Sequence, residues 1–385
     1  MLSLTSRIGL TLGWLLIAPV LAHAEEALTL DAALTSIAKV VAEKVKQENA
    51  TQIVINPITD TGDLTHTAGT GLTEKLIEKL KAEGIAPALK ADLIFSGDYG
   101  LGEAESGGQR LGFPVGRLAF KVKKRNGKTL VDSENDIPAD RQPRVTDLGD
   151  LNKMGNTTVA LPPPSATTER NKATLDALDN KPGLFEIQGT RLRATGAPYA
   201  IELLVAPATG QVAPRAGAFR PAKLEVRDGS PFLKVEPGQA LAVRIINEAG
   251  HDVASTVSID GLSMFDFRED KADRNEHVII KQGTAGDILG WFRDAKVSSA
   301  FLVADLPQDH TKSALLKNPA KIGSITITFA AAWEKDNQRP ADEFVHNRKV
   351  GVEIIPGGTI EAPYETVNRQ IGEVRTVLTV RYDKL

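Results

Sequence analysis

The chain has 385 residues, of which 42% are hydrophobic, 5% aromatic and 25% charged, and its formal net charge is −3. This composition excludes collagen-like, coiled-coil and largely disordered proteins, and the length is enough for two or three domains. Because the chain has no cysteine, disulfides, thiol nucleophiles, cysteine-ligated zinc and iron–sulfur clusters are excluded. The slightly negative charge argues against a nucleic-acid-binding surface over the whole protein.

Residues 1–24 have the three parts of a secretory signal peptide. Arg7 supplies the positive charge, an apolar run covers 8–21, and Ala-His-Ala at 22–24 forms a small-residue cleavage site. The alternative, a membrane anchor, is disfavoured because the run is shorter than the roughly 20 apolar residues that span a bilayer. Since no cysteine follows the cleavage site, we do not expect a lipoprotein. The sequence therefore predicts a bacterial periplasmic or secreted protein without stable membrane insertion after cleavage.

The mature chain opens with patterns typical of an α/β domain. Hydrophobic periodicity predicts helices at 30–46 and 70–82 and strands at 52–56, 91–100, 117–124 and 129–132. Asp31 is a candidate N-cap, Gly84 is placed for a left-handed C-cap, and Asn126-Gly127 is a hairpin turn signal. Residues 25–160 are therefore expected to form a small α/β layer domain.

A proline-rich segment separates this domain from the rest of the chain. Residues 161–183 contain Leu-Pro-Pro-Pro-Ser at 161–165 and predict a semi-stiff linker with at most one short helix near 173–178. Beyond the linker, apolar residues alternate with period two in the runs 241–245, 253–259, 325–329 and 378–382.

Turn signals such as Asp228-Gly229 and Asp260-Gly261 separate these runs at the spacing of antiparallel sheets. Residues 184–385 are therefore expected to form a β-sandwich with a helical excursion around 309–316. The predicted fold class is α+β multidomain, with a small N-terminal α/β layer domain followed by an all-β antiparallel sandwich.

The sequence contains few candidate catalytic residues. The mature chain has five histidines, and no two lie at the spacing of a helical zinc site: His66, His251, His277, His310 and His346. The chain has no G-x-S-x-G nucleophile elbow, and no pair of carboxylates stands out as that of a glycosidase. We therefore predict no catalytic, cofactor-binding or metal-binding residue, and a protein that is not an enzyme.

Two segments have some features of ion-binding loops. The loop 56–71 runs into Gly-Thr-Gly at 69–71 and offers helix N-terminal amides to an anion, but it lacks a P-loop ending and its acids would repel phosphate. The segment 266–273 holds four acids for a hard cation such as calcium, but basic residues alternate with them. An ordinary loop is favoured in each case, and the sequence leaves ion binding open.

Scarce aromatic residues are concentrated in Met264-Phe265-Asp266-Phe267 and Gly290-Trp291-Phe292. Sheet core is the expected location for both runs, and a peptide-docking edge or an exposed apolar patch is the alternative. The basic run 121–125 alternates with apolar residues as an exposed strand does and carries no aromatic platform for nucleic acid.

The N-terminal motifs resemble a known family of envelope domains. They are Val-Ile-Asn-Pro at 54–57, Gly-Leu-Thr-Glu-Lys-Leu at 71–76 and Ala-Asp-Leu-Ile-Phe-Ser-Gly at 91–97. They resemble the small α/β domain of flagellar outer-membrane (FlgO-like), curli-secretion (CsgG-like) and penicillin-binding-protein-activator (LpoB-like) lipoproteins. The resemblance covers about residues 30–100 and implies an interaction domain without catalytic residues. The lipid-bearing cysteine of those relatives is missing here.

A second resemblance covers more of the chain. Besides residues 241–247, it rests on Val-Ser-Ile-Asp-Gly-Leu at 257–262, Gly-Trp-Phe at 290–292 and Gly-Ser-Ile-Thr-Ile-Thr-Phe at 323–329. These motifs are similar to a β-sandwich module of uncharacterised exported bacterial proteins, a resemblance that implies the fold and no activity.

The expected function is that of an exported, non-catalytic envelope protein that binds an envelope protein or polymer. One alternative is a periplasmic hydrolase that acts on polysaccharide or peptide through an unidentified carboxylate pair. A second alternative is a carbohydrate-binding module, which predicts exposed, coplanar aromatic rings. The identity of the partner and the oligomeric state are left open.

Overall fold

The computed structural model describes residues 28–60, 68–106, 109–138, 141–146, 154, 157–179, 181–208, 214–268, 277–294, 297–304, 323–343, 348–354 and 364–384. The predicted signal peptide at 1–24 and the predicted helical excursion at 309–316 lie outside these residues. The helices with described bounds are α1 Leu30–Gln47, α2 Ala68–Ala82, α3 Ser133–Asp136 and α4 Thr167–Leu178. In the described ranges, no helix combines the length and hydrophobicity needed to cross a bilayer.

The strands form three sheets. The first contains β1 Gln52–Ile55, β2 Thr59–Asp60, β3 Ala86–Pro87, β4 Leu93–Ser106, β5 Gln109–Lys124, β6 Thr129–Asp132 and β7 Arg144–Val145. The remaining strands, in chain order, are β8 Val159–Ala160, β9 Phe185–Gln188, β10 Arg191–Ala194, β11 Tyr199–Pro207, β12 Arg220–Pro221, β13 Leu224–Arg227, β14 Ser230–Val235, β15 Gln239–Asn247, β16 Asp252–Ile259, β17 Leu262–Ser263, β18 Val278–Ile280, β19 Ala285–Ile288, β20 Gly290–Phe292, β21 Ser298–Leu302, β22 Ser324–Trp333, β23 Arg348–Ile354 and β24 Tyr364–Lys384.

The order of strands confirms the predicted α+β class. The first sheet is mixed, with the path β3-β1-β4-β5-β6 and parallel pairing of β1 to β3 and β4. The second sheet has the path β20-β21-β15-β11-β10-β9, and the third has the path β13-β14-β24-β22-β16-β18-β23. Both are largely antiparallel, as the alternating hydrophobic pattern predicted.

Helices α1 and α2 cover one face of the first sheet. The cap of α1 is Thr29, whose Oγ1 accepts a hydrogen bond from the backbone N–H of Ala32 at 3.2 Å. The predicted cap Asp31 is wrong, because this residue lies in the first turn and forms an ion pair with Lys79 of α2 at 2.5 Å. Gly84 has φ +81°, which confirms the left-handed residue expected after α2.

Alternation along β4 and β5 divides the first sheet into two faces. Phe95 and Phe120, whose ring centroids are 6.1 Å apart, are buried in the core formed with α1 and α2. Since successive strand residues point to opposite faces, the intervening Ser96, Asp98 and Lys121 are directed to the other face, where they are half-buried. This face therefore carries polar and charged side chains.

The second and third sheets pack face to face as a β-sandwich. Their common core takes apolar residues from both sheets, and Tyr199 of β11 stacks on Phe329 of β22 with ring centroids 5.1 Å apart. The predicted Asp260-Gly261 turn is confirmed, with φ values of +54° and +79°. The Asp260 carboxylate accepts hydrogen bonds at 2.6 Å from both the Tyr382 hydroxyl and the backbone N–H of Gly323.

One buried amide joins the two sheets. Asn247, at the end of β15, is fully buried. Its Nδ2 donates to the carbonyl oxygens of His251, Ile280 and Lys281 at 2.9, 3.1 and 3.2 Å. Its Oδ1 accepts from the backbone N–H of Ala249 at 3.0 Å. Because Ile280 belongs to the third sheet, this side chain ties one end of the sandwich together.

The segment 161–183 contacts the regions on both sides of it. It contains the 12-residue helix α4, which is longer than the short helix expected near 173–178. On one side Thr174 of α4 is hydrogen-bonded to Thr70 of α2, with 2.8 Å between the hydroxyl oxygens. On the other side Arg170 donates to the carbonyl oxygen of Val374 in β24 at 2.9 Å. Helix α4 therefore bridges the helices that cover the first sheet and the sandwich. The domain boundaries at 160/161 and 183/184 remain predictions from the sequence.

Candidate functional site

A largely buried group of charged side chains lies at one end of the sandwich, around Arg375 of β24. The guanidinium of Arg375 donates to both carboxylate oxygens of Asp342 at 2.6 and 3.0 Å and to Glu343 Oε1 at 2.8 Å. The side chain of Glu343 is fully buried, and that of Arg375 is 14% exposed. Gly372 makes room for this pair, because a Cβ there would lie within 2.6 Å of the Glu343 carboxylate oxygens.

Tyr199 and His251 lie close to this cluster. The Tyr199 hydroxyl is 3.4 Å from His251 Nε2, and His251 Nδ1 is 2.9 Å from the backbone oxygen of Asp252. Burial raises the pKa of Tyr199 to about 12, although the positive charge of Arg375 acts in the opposite direction. The phenol is therefore protonated at neutral pH and acts as a hydrogen-bonding group.

The charges of this cluster compensate each other. Hydrogen bonds from Arg375 lower the pKa of Asp342. Burial acts to lower the pKa of Arg375, but its hydrogen bonds to Asp342 and Glu343 outweigh burial and raise it. A general acid at neutral pH needs the opposite arrangement, a carboxyl group that is held protonated. The geometry is that of a buried structural ion pair.

Asp98, on the polar face of the first sheet, shows the opposite shift. Burial, followed by the negative charge of Glu134, raises the pKa of its carboxyl group, although Lys121 acts against this. The pKa of Asp132 on β6, which is separated from β4 by β5, is lowered, first by its hydrogen bond with Lys121. Asp98 could not be selected from the sequence, because its charged neighbours come together only through the pairing of β4, β5 and β6.

The glycines in the candidate anion loop, for which an ordinary loop was favoured, have packing roles. A Cβ at Gly69 would lie 2.1 Å from the carbonyl oxygen of Ile58, and a Cβ at Gly71 would lie 2.6 Å from Leu178 of α4. The Thr73 hydroxyl adds to this contact by accepting from Ile58 N at 2.8 Å and donating to Gly69 O at 2.7 Å. Close approach of neighbouring backbone and side chains explains both glycines, and residues 61–67 of the loop lie outside the described residues.

The other candidate ion ligands are only partly described. Asp266 accepts a hydrogen bond from the backbone N–H of Ser263 at 3.0 Å and so stabilises a turn, while 269–276 lie outside the described residues. His66, His310 and His346 also lie outside them. Among the side chains that the structure describes, no group of three or more His, Asp or Glu residues is arranged to hold a metal ion.

The two aromatic runs of the sequence meet at an edge of the sandwich. The buried rings of Phe265 and Phe292 are 5.4 Å apart. Trp291 lies between Phe267 and Phe301, at centroid distances of 5.0 and 4.9 Å and interplanar angles of 71° and 86°. Phe265 and Phe292 are core residues, as expected for the two runs, and Phe301 is buried with them, whereas Phe267 and Trp291 are only partly buried.

Two exposed aliphatic side chains belong to the same hairpin. Val297, in the loop between β20 and β21, is 49% exposed, and Leu302, at the end of β21, is 38% exposed. Since Leu302 points to the opposite face of β21 from Phe301, only Val297 shares the face of Trp291. We call Phe267, Trp291 and Val297 the aromatic edge. Its strand β20 pairs with β21 alone in the second sheet and so ends that sheet.

Local backbone geometry determines what this edge offers to a partner. Gly290 is required where β20 meets β21, because a Cβ there would lie 2.1 Å from the carbonyl oxygen of Ser299. The backbone N–H of Phe292 donates to Met264 O at 2.8 Å, which holds the segment of Phe267 against the hairpin. Since this N–H is already bonded, the edge offers side chains rather than a fully open backbone to a partner.

The chain was compared with protein-family models, with curated proteins and with solved structures. None of the three comparisons finds a match. The resemblances to envelope domains therefore rest on the sequence motifs alone.

Proposed function

We propose that this protein is an exported, non-catalytic envelope protein that binds another protein through the aromatic edge. The observation that carries the proposal is the partly buried Trp291, which Phe267 and Phe301 hold in place on the edge strand β20, in the hairpin that also carries the exposed Val297. Tryptophan is among the residues that contribute most to protein–protein binding, particularly when neighbouring apolar side chains exclude water from it. A protein partner is favoured because this surface combines a fixed aromatic anchor with an exposed aliphatic side chain.

The same rings count against a carbohydrate-binding module. Such a module presents broad, coplanar aromatic faces to sugar rings, whereas the rings beside Trp291 meet it edge to face. Trp333, the other tryptophan of the predicted mature chain, is only 2% exposed. These two observations favour protein binding over stacking on sugars.

The charged cluster supports the non-catalytic part of the proposal. Glu343 and Asp342 are both bonded to Arg375, and the pKa of Asp342 is lowered rather than raised. A hydrolase of the kind considered from the sequence needs one carboxyl group that is protonated and a second that is ionised. Compensated charges at this position serve the stability of the sandwich instead.

The test is affinity capture by the mature chain, residues 25–385, from a periplasmic extract, followed by binding measurements with the captured protein. Trp291→Ala is expected to raise the dissociation constant by about 30-fold, as for a central interface residue that contributes roughly 2 kcal/mol to binding. The matched control is Val226→Ser, which changes an apolar side chain that is 58% exposed on β13, away from the aromatic edge.

The control variant is expected to bind as the unaltered chain does. Equal capture by both variants, or no protein captured above background, would contradict the proposal. Circular dichroism of each variant separates lost binding from lost folding.

A further inference from the structure

Several loops and helix ends converge at one end of the first sheet. The parallel strands β1 and β4 both begin there, and β5 ends there, because Leu93 pairs with Lys124. Arg125 holds two of the loops together: its N–H donates to Asp92 O at 2.7 Å, and its Nη2 donates to Ala91 O at 3.1 Å. The loop 88–92 therefore lies against the hairpin turn that follows β5.

Leu89, in this loop, has an exposed fraction of 99%. The other large apolar side chains with high exposure in the described chain reach 37% to 58%. A value near that of an extended peptide means that no neighbouring side chain covers Leu89. The leucine therefore projects from a convex surface and does not line a groove.

Basic residues lie in the segments that meet at this end of the sheet. The ends of α1 and α2 lie at the same end of the sheet, because β1 and β3 start shortly after them and pair in parallel. In the segments 46–49, 81–84, 88–92 and 125–128, the exposed basic residues are Lys46, Lys81, Lys90, Arg125 and Lys128. The acids of these segments are Glu48, Glu83 and Asp92, and Glu48 is paired with Lys124 at 2.5 Å.

We propose that this basic tip, formed by Leu89 and the five exposed basic residues of these segments, docks on the surface of an anionic lipid bilayer. Leu89 enters the interface between headgroups and acyl chains, and the lysines and Arg125 contact the headgroup phosphates. The charge of the tip is complementary to such a surface, and an isolated apolar side chain on a convex loop matches a bilayer better than the pocket of a protein.

The contact is peripheral and reversible. A single short apolar side chain contributes little membrane affinity by itself, so charge and apolar insertion have to act together. Each basic residue near an anionic surface strengthens binding about fivefold at moderate ionic strength. The attraction is screened over roughly 10 Å at 0.1 M salt, so binding falls as salt is added. This surface is separate from the aromatic edge and does not depend on the function proposed for that edge.

The experiment is co-sedimentation of the mature chain, residues 25–385, with vesicles of phosphatidylglycerol and phosphatidylcholine or of phosphatidylcholine alone. We expect binding to the anionic vesicles only. The double variant Lys90→Glu with Lys128→Glu is expected to lower the partition coefficient by about 25-fold or more. The matched control is Lys223→Glu with Lys234→Glu, which makes the same change of net charge at exposed positions of the sandwich.

The leucine is tested separately. Leu89→Ser is expected to weaken vesicle binding by about threefold or more, since it removes apolar area from the interface, and Val226→Ser is the control. Equal binding to neutral vesicles, equal losses in both charge variants, or binding of the tip to an acidic protein in place of vesicles would overturn the proposal. Trp291→Ala is expected to leave vesicle binding unchanged, so failure at one surface is distinguishable from failure at the other.

Discussion

Replacement of Asn247 by aspartate tests whether one buried amide holds the two sheets of the sandwich together. The Nδ2 group donates to three backbone oxygens, those of His251, Ile280 and Lys281, at distances up to 3.2 Å. Aspartate has nearly the same shape but no N–H donor. The substitution therefore places a carboxyl oxygen beside three carbonyl oxygens in a position that is fully buried.

The magnitude follows from the groups left without a partner. A buried acceptor that loses its donor costs about 1–3 kcal/mol, and Asn247 supplies two N–H groups. We therefore expect Asn247→Asp to lower the free energy of unfolding by about 4 kcal/mol at neutral pH.

The loss should depend on pH. Burial beside carbonyl oxygens raises the pKa of the introduced carboxyl above its unfolded value of about 3.9. With a raised folded-state pKa, protonation favours the folded state, so the penalty is smallest below about pH 4 and grows as pH rises.

Urea unfolding followed by tryptophan fluorescence measures this effect. Trp291 and Trp333 both lie in the sandwich, so in the mature chain the signal reports on that region. Asn126→Asp is the control, because Asn126 lies in an exposed turn where its Oδ1 already accepts from Lys128 N at 3.1 Å, and its effect should be within about 0.5 kcal/mol. A loss below about 1 kcal/mol for Asn247→Asp, or a loss that does not vary with pH, would refute the reasoning.

Three further predictions concern the packing and the charges around the sandwich. Arg375→Met leaves the buried carboxylate of Glu343 without its ion-pair partner and should lower the free energy of unfolding by about 3–5 kcal/mol, whereas the double variant with Glu343→Gln should recover part of that loss in a double-mutant cycle. Gly71→Ala should lower the melting temperature in thermal unfolding, since the added Cβ meets helix α4. Gly217→Ala, where the added Cβ meets open space, should leave the melting temperature unchanged. Since the pKa of Asp342 is lowered in the folded state, its contribution to stability is present above about pH 4 and lost as pH falls, so Asp342→Asn should flatten the acid limb of a stability–pH profile.

Much of the secondary structure could be predicted from local patterns. The helix predicted at 30–46 is found at Leu30–Gln47, and the predicted strands at 241–245 and 253–259 lie within β15 and β16. Local signals act over a few residues, and an amphipathic stripe or a left-handed glycine needs no information from the rest of the chain. The error at Asp31 arises because Thr29 and Asp31 are both good caps, so a local pattern does not distinguish them; in the structure Thr29 caps α1 and Asp31 pairs with Lys79.

Some features of the candidate sites could be predicted from the sequence, and others could not. The aromatic runs at 264–267 and 290–292 could be recognised in the sequence, but it could not be predicted which rings would be fully buried and which only partly buried. The glycines at 69 and 71 suggested an anion loop, and their packing against Ile58 and α4 emerges only from the folded chain. The exposure of Leu89 could not be predicted from the sequence, since a single leucine in a short loop can be either buried or exposed.

The sequence by itself determined the α+β class, because the spacing of apolar residues changes from a helical period in the N-terminal part to a period of two in the C-terminal part. It also carried the prediction of export, through the features of residues 1–24. Only the tertiary structure decided that Arg375 neutralises Glu343, that α4 bridges two regions, and that Leu89 stands uncovered at the end of the sheet where segments with exposed basic residues meet. These features depend on groups brought together from distant parts of the chain, and burial, charge compensation and exposure are properties of that assembled neighbourhood.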